Sequence, residues 1–182
     1  MSQEARTVST DSKTAGLVDV KSLVLLAILL AAGFILNMTL GNALAMTGIK
    51  PQFIIAAYAL AILLTDASFP QAIIYGLISA CVCQLTTSIP GLNFVTEVLG
   101  ALTMCALAKL NLNVAGKSVT PLVAAFVATF VSGFAFAVLG NLIMGAAIQT
   151  CLVKAPIVLG TATFNCIVVQ ALSIPLKKVL AR

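Results

Sequence analysis

The sequence predicts an all-α integral membrane protein with six transmembrane helices and both termini in the cytoplasm. Three observations carry this. Hydrophobic residues make up 61% of the 182 positions and charged residues 8%, against roughly a quarter charged in a soluble domain, and the mean hydropathy is +1.15. Six apolar runs alternate with breakers. The basic residues fall almost entirely on one side of the resulting weave.

Residues 1–20 mix Ser, Thr, Lys, Asp and Glu and read as a disordered cytoplasmic tail. Residues 21–182 form the six-helix domain. The first run, 22–40, exceeds the 7–15 residues of a signal-peptide core, so it reads as a retained span although Ala43-Leu44-Ala45 mimics a cleavage site. The later runs are 52–64, 69–87, 94–109, 119–141 and 155–176, the second and fourth being short. They are parted by Lys50-Pro51, by Phe69-Pro70 after Asp66, by Pro90-Gly91, by the polar segment 109–121 and by Lys154-Ala155-Pro156. Open sheet edges do not survive in lipid, so continuous apolar runs are read as helices, and the alternation of a lipid-facing barrel strand is missing.

Threading these runs through a bilayer places Arg6, Lys13, Lys21, Lys109, Lys117, Lys177, Lys178 and Arg182 on one side. Only Lys50 and Lys154 lie on the other. Basic residues concentrate on the cytoplasmic side, which sets the orientation. The net charge of +5 therefore reads as topology. Nucleic-acid binding would need basic residues clustered on one face with groups to read bases. Histidine is absent, which removes Ser-His-Asp and Cys-His catalysis, and no paired carboxylates share a helix. An enzyme is a poor fit. The five cysteines sit in or beside apolar runs, where Cys acts as a small hydrophobe; no metal or cofactor is expected.

On the outer side three charges remain, Lys50, Glu97 and Lys154, one in each outer connection. Charges packed among helices in lipid need a partner or a ligand. Two cations and one anion suit a zwitterion, with a lysine for its carboxylate and Glu97 for its ammonium. Alternatively the lysines snorkel and Glu97 pairs with one of them. Thr86, Thr87, Ser88 and Asn93 adjoin Glu97. Asn141 and Asn165, amides beside or within the last two spans, are placed in the same pocket. Gln170 reads as structural. Segment 43–53 is either a lid over an outer pocket or a plain connection. Ala115-Gly116-Lys117-Ser118 imitates the end of a phosphate-binding loop, but Asn111 stands where the pattern needs glycine. Asn37-Met38-Thr39 fits a glycosylation triplet and is set aside because it adjoins a span.

Ala27 and Ala31 put two small residues four apart on the first span, a spacing that lets another helix approach closely in lipid. Packing within the bundle accounts for it equally well. With that face, "GIKPQFIIAAYALAILL" (48–64) and "LTTSIPGLNFVTEVLGAL" (85–102) resemble stretches of the bacterial tryptophan transporter (TrpP-like) family. These are substrate-binding (S) components of energy-coupling factor (ECF) transporters. The likeness covers the first four spans well and the last two loosely. It implies docking of the Ala27/Ala31 face on a membrane coupling (T) component that carries two ATPase subunits. It implies an outer substrate site with Lys50, Asn93 and Glu97, the last standing where the family is expected to carry aspartate. It names tryptophan as the solute, with Phe53, Tyr58, Tyr75 and Phe94 as candidates to hold an indole. An S component for a water-soluble vitamin, a solitary secondary carrier and a non-transporting scaffold are the competing expectations.

Overall fold

A computed structural model of the chain describes residues 19–46, 51–110, 112–114, 116–147 and 149–180. Lys50 and residues 1–18, which hold nearly all of the expected tail, lie outside the described residues. Six helical elements follow one another: α1 (Val20–Ala45), α2 (Phe53–Thr65), α3 (Phe69–Cys83), α4 (Leu92–Ala108), α5 (Thr120–Ile143) and α6 (Thr150–Leu180). A two-residue hairpin, β1 (Asn113–Val114) paired antiparallel with β2 (Lys117–Ser118), joins α4 to α5.

The chain is a membrane-embedded helical protein. Helices α1, α5 and α6 are long and apolar enough to cross a bilayer. At 1.5 Å per residue the 26 residues of α1 reach about 39 Å, beyond the ~30 Å hydrocarbon core. The 13 residues of α2 reach only about 20 Å, and α3 and α4 are also short.

Helix α2 is apolar all round and is buried all round. Every residue from Phe53 to Leu63 is enclosed, as expected of a helix without a polar face. It packs on α1, α3, α4, α5 and α6. The other helices pack chiefly on their sequence neighbours, so the bundle is wrapped around α2.

Several expected boundaries are wrong, among them the end of the first run, expected at 40 and found at Ala45. The third run, expected over 69–87, ends at Cys83. Hydroxyls compete with the helix there: Thr86 Oγ1 reaches the Cys83 carbonyl, and Thr87 Oγ1 bonds both the N–H and the carbonyl of Ile89. The sixth run, expected over 155–176, already begins at Thr150 and continues to Leu180 through Pro156 and Pro175. A proline forfeits one backbone bond, whereas unwinding in an apolar setting would strand several. The hairpin was not anticipated either. Gly116 turns it at φ +76°, and Thr120 Oγ1 closes the connection on Leu110 O and Leu112 N, each at 2.9 Å.

Candidate functional site

The C-terminal ends of α1, α3 and α5 meet the N-terminal ends of α2, α4 and α6 at one end of the bundle. By the distribution of basic residues this is the predicted outer end. A cavity of about 300 Å³ opens there, at the lower limit of small-molecule sites. Its walls include Thr86, Thr87, Asn93, Glu97 and Lys154 from the sequence-predicted set. Much of the remaining wall is apolar, with Ile54, Ile55, Phe136, Ala137, Ile157 and Val158.

The loop between α3 and α4 is held from within. Gln84 Oε1 accepts the Gly91 N–H at 3.0 Å, and Thr87 Oγ1 donates to Asn93 Oδ1 at 3.1 Å. Gly91, at φ +84°, turns the chain into α4, a conformation that only glycine adopts freely. Helix α4 then carries Asn93 and, one turn on, Glu97 into the wall; both are buried.

Glu97 is the central feature. It is 6% exposed. The hydroxyls of Tyr58 and Ser132 are the side-chain groups that act on it. Glu97 Oε2 and the Tyr58 hydroxyl are both buried without a partner in hydrogen-bond geometry. Gly100, one turn below, makes room for this packing: a Cβ there would strike the Tyr58 hydroxyl and come within 3.0 Å of Ser132 Cβ. Gly100→Ala is therefore expected to displace Tyr58 and cost about 1–3 kcal/mol, seen as a lower apparent unfolding temperature in detergent.

Lys154 faces the cavity from α6 but directs its ammonium to Asn141 Oδ1 at 2.7 Å. Asn141 stands outside the wall. Its amide nitrogen donates to Thr150 Oγ1 and to Cys151 Sγ, so it ties the α5–α6 corner together and positions Lys154. Asn165 also stands behind the wall. It is fully buried, and its amide nitrogen reaches the Gln52 carbonyl at 3.0 Å and Thr129 Oγ1 at 3.5 Å; Gln52 and Thr129 are wall residues. Asn141→Ala would leave Lys154, Thr150 and Cys151 without these bonds. It is expected to cost about 1–3 kcal/mol and to lower affinity for a carboxylate-bearing solute, whereas Gln170→Ala, at the far end of α6, should leave affinity unchanged.

None of Phe53, Tyr58, Tyr75 and Phe94 lines the cavity; the aromatic that does is Phe136. Phe53 packs edge-on against Phe164, with ring centroids 5.8 Å apart. The Tyr75 hydroxyl lies 3.3 Å from Thr65 Oγ1, and Phe94 is exposed. Sequence reasoning also missed Asn37, Gln52, Cys83, Thr129 and Thr161 as wall residues. Asn37 had a usable signal: an amide one turn from the end of an apolar run. It starts a π-helical stretch, Asn37–Gly41, a distortion frequent at functional sites. Thr129 and Thr161 sit inside long apolar helices and carried no such signal. Ala27 and Ala31 are both exposed on the outside of α1, away from the cavity. No group of His, Cys, Asp or Glu among the described residues is placed to hold a metal.

Comparison with family models, with characterised proteins and with solved structures returns no match.

Proposed function

We propose that the chain is the solute-binding membrane component of an importer of the energy-coupling factor type, and that its solute is a small zwitterion, with tryptophan the first candidate. It would lie in a bacterial cytoplasmic membrane as six spans with both termini inside. The observation that carries the reading is the cavity with Glu97 and Lys154 on its wall in an otherwise apolar bundle. The anion faces the ligand ammonium, and the cation, held by Asn141, faces the carboxylate. Asn93 and Thr87 supply neutral hydrogen bonds, and Phe136, Ile157 and Val158 offer an apolar side pocket.

Several shorter features support the same reading. The cavity lies at the end predicted to face outward. The exposed Ala27 and Ala31 leave a shallow face on α1 for the coupling (T) component and its two ATPase subunits. In this reading the short apolar helices α2, α3 and α4 would complete their crossings with residues that flank them. Binding is non-covalent, no cofactor takes part, and ATP hydrolysis on the partner subunits drives reorientation.

The test is a thermal-shift screen of the detergent-purified protein against tryptophan, other amino acids and water-soluble vitamins. A ligand that binds only the folded state raises the unfolding temperature. Tryptophan is expected to raise it in a dose-dependent way. A shift with a vitamin alone would discard the amino acid and keep the S-component reading. Uptake in vesicles without any ATPase would favour a solitary carrier. Silence across the whole screen would point to a scaffold.

A further inference from the structure

At the opposite end of the bundle a second cavity, of about 370 Å³, lies between the C-terminal ends of α2, α4 and α6 and the N-terminal end of α5. Ile62, Leu63 and Ala67 form a buried apolar part of its wall. Lys109, Lys177, Ser118 and Asp66 form a polar part. We propose that this cavity binds the phosphate headgroup of an anionic phospholipid from the leaflet on that side.

The wall includes two lysines, Lys109 just past the end of α4 and Lys177 in the last turn of α6, and one carboxylate residue, Asp66, an excess of one positive charge. A phosphodiester supplies one negative charge and unesterified oxygens for both lysines and the Ser118 hydroxyl. Lys109 is held in place by Phe69, whose ring centroid lies 4.0 Å from its Nζ. That contact orients the ammonium and still leaves N–H donors for a ligand. The mixture of wall types matters: a free anion has no use for Ile62 and Leu63, while a lipid brings glycerol and the first acyl carbons to cover them. The cavity also lies at the end predicted to be cytoplasmic, where the leaflet is anionic and basic pockets between helices take lipid headgroups. Lys178, next to Lys177 in the last turn of α6, adds to the local field.

Asp66 is the group that opposes the lipid. It ends α2 at φ +46° with its backbone N–H on Ile62 O. Its side chain is not needed for that cap, so Asp66→Asn removes the charge without disturbing the turn, asparagine being at ease in the left-handed region.

The experiment measures the unfolding temperature of the full chain in uncharged detergent with added phosphatidylglycerol, phosphatidylcholine or inorganic phosphate. Phosphatidylglycerol is expected to stabilise by several degrees more than phosphatidylcholine, with the difference shrinking as salt is raised. Lys109→Ala with Lys177→Ala should at least halve that difference, and Asp66→Asn should enlarge it. The proposal is overturned by equal effects of the two lipids, by an equal shift with inorganic phosphate, or by a phosphatidylglycerol effect that the double variant retains. Should the double variant not fold, an unchanged lipid effect in Asp66→Asn overturns it equally. None of these readouts involves the solute cavity, so they stand apart from the importer reading.

Discussion

Replacing Glu97 by glutamine is expected to weaken tryptophan binding about thirtyfold or more, with the unfolding temperature of the ligand-free protein unchanged or slightly raised. Glu97 is buried and its Oε2 has no hydrogen-bond partner. Lys154, the described cation of the same wall, is directed to Asn141. A buried carboxylate left this way is costly, and a ligand ammonium relieves the cost on binding. Removing one member of a buried charge pair lowers affinity by about 2–5 kcal/mol, and 1.4 kcal/mol is tenfold. Glutamine keeps the shape and drops the charge, so the empty protein loses no ion pair. Calorimetric titration beside a melting curve separates the outcomes. Equal affinity in Glu97→Gln would remove the ammonium site. Reduced affinity together with a fall in the unfolding temperature of the empty protein would make Glu97 a structural residue.

The second large effect is expected at Gly76. A Cβ built there lies 2.9 Å from Val98 Cα and 3.1 Å from the Glu97 carbonyl oxygen. These are backbone atoms of α4 and cannot swing aside, so any side chain pushes α3 and α4 apart. Gly76→Ala is expected to cost about 1–3 kcal/mol and Gly76→Leu still more, with the apparent unfolding temperature falling in step. Because the strain acts on the turn that carries Glu97, solute affinity falls too. Gly41→Ala is the control: its nearest foreign atoms are at 3.4 Å, an ordinary contact, and its unfolding temperature should stay close to that of the unaltered chain. A Gly76→Leu protein as stable as Gly41→Ala would mean that α3 and α4 do not meet at Gly76.

Much of the helix plan was legible because lipid leaves few choices. A long apolar run with no alternation has to pair its backbone internally, so helices close to the runs at 52–64, 94–109 and 119–141 follow from composition. The errors fall where local polar chemistry competes with that rule. Thr86 and Thr87 look like the last turn of a span when counted as uncharged residues, yet their hydroxyls capture backbone groups and end α3 early. Pro156 looks like a stop, yet α6 runs through it. The π-helical stretch at Asn37 and the hairpin around Gly116 depend on contacts that no run of hydropathy encodes.

The site divides in the same way. Glu97, Asn93, Thr86, Thr87 and Lys154 stood out as polar groups among hydrocarbon, where each is expensive and therefore conspicuous. Asn141 and Asn165 were conspicuous for the same reason, but their place behind the wall depends on which backbone and side-chain groups lie across from them. The aromatic choice went wrong because burial cannot be read from residue type: Phe53, Tyr58 and Tyr75 are locked in the core, and among the described residues Phe136 is the aromatic that reaches the cavity.

By itself, then, the order of residues determined that this chain lives in lipid, that it is helical, and which rare polar groups have to be accounted for, because hydrophobicity and charge act position by position. The tertiary structure decided that α2 stands at the centre, that Glu97 and Lys154 share one wall while Asn141 holds the lysine, and that a second, basic cavity forms at the other end. Those outcomes depend on how helices distant in sequence pack against one another, and close approaches such as Gly76 on α4 and Gly100 at Tyr58 are set by shapes that meet only after the chain has folded.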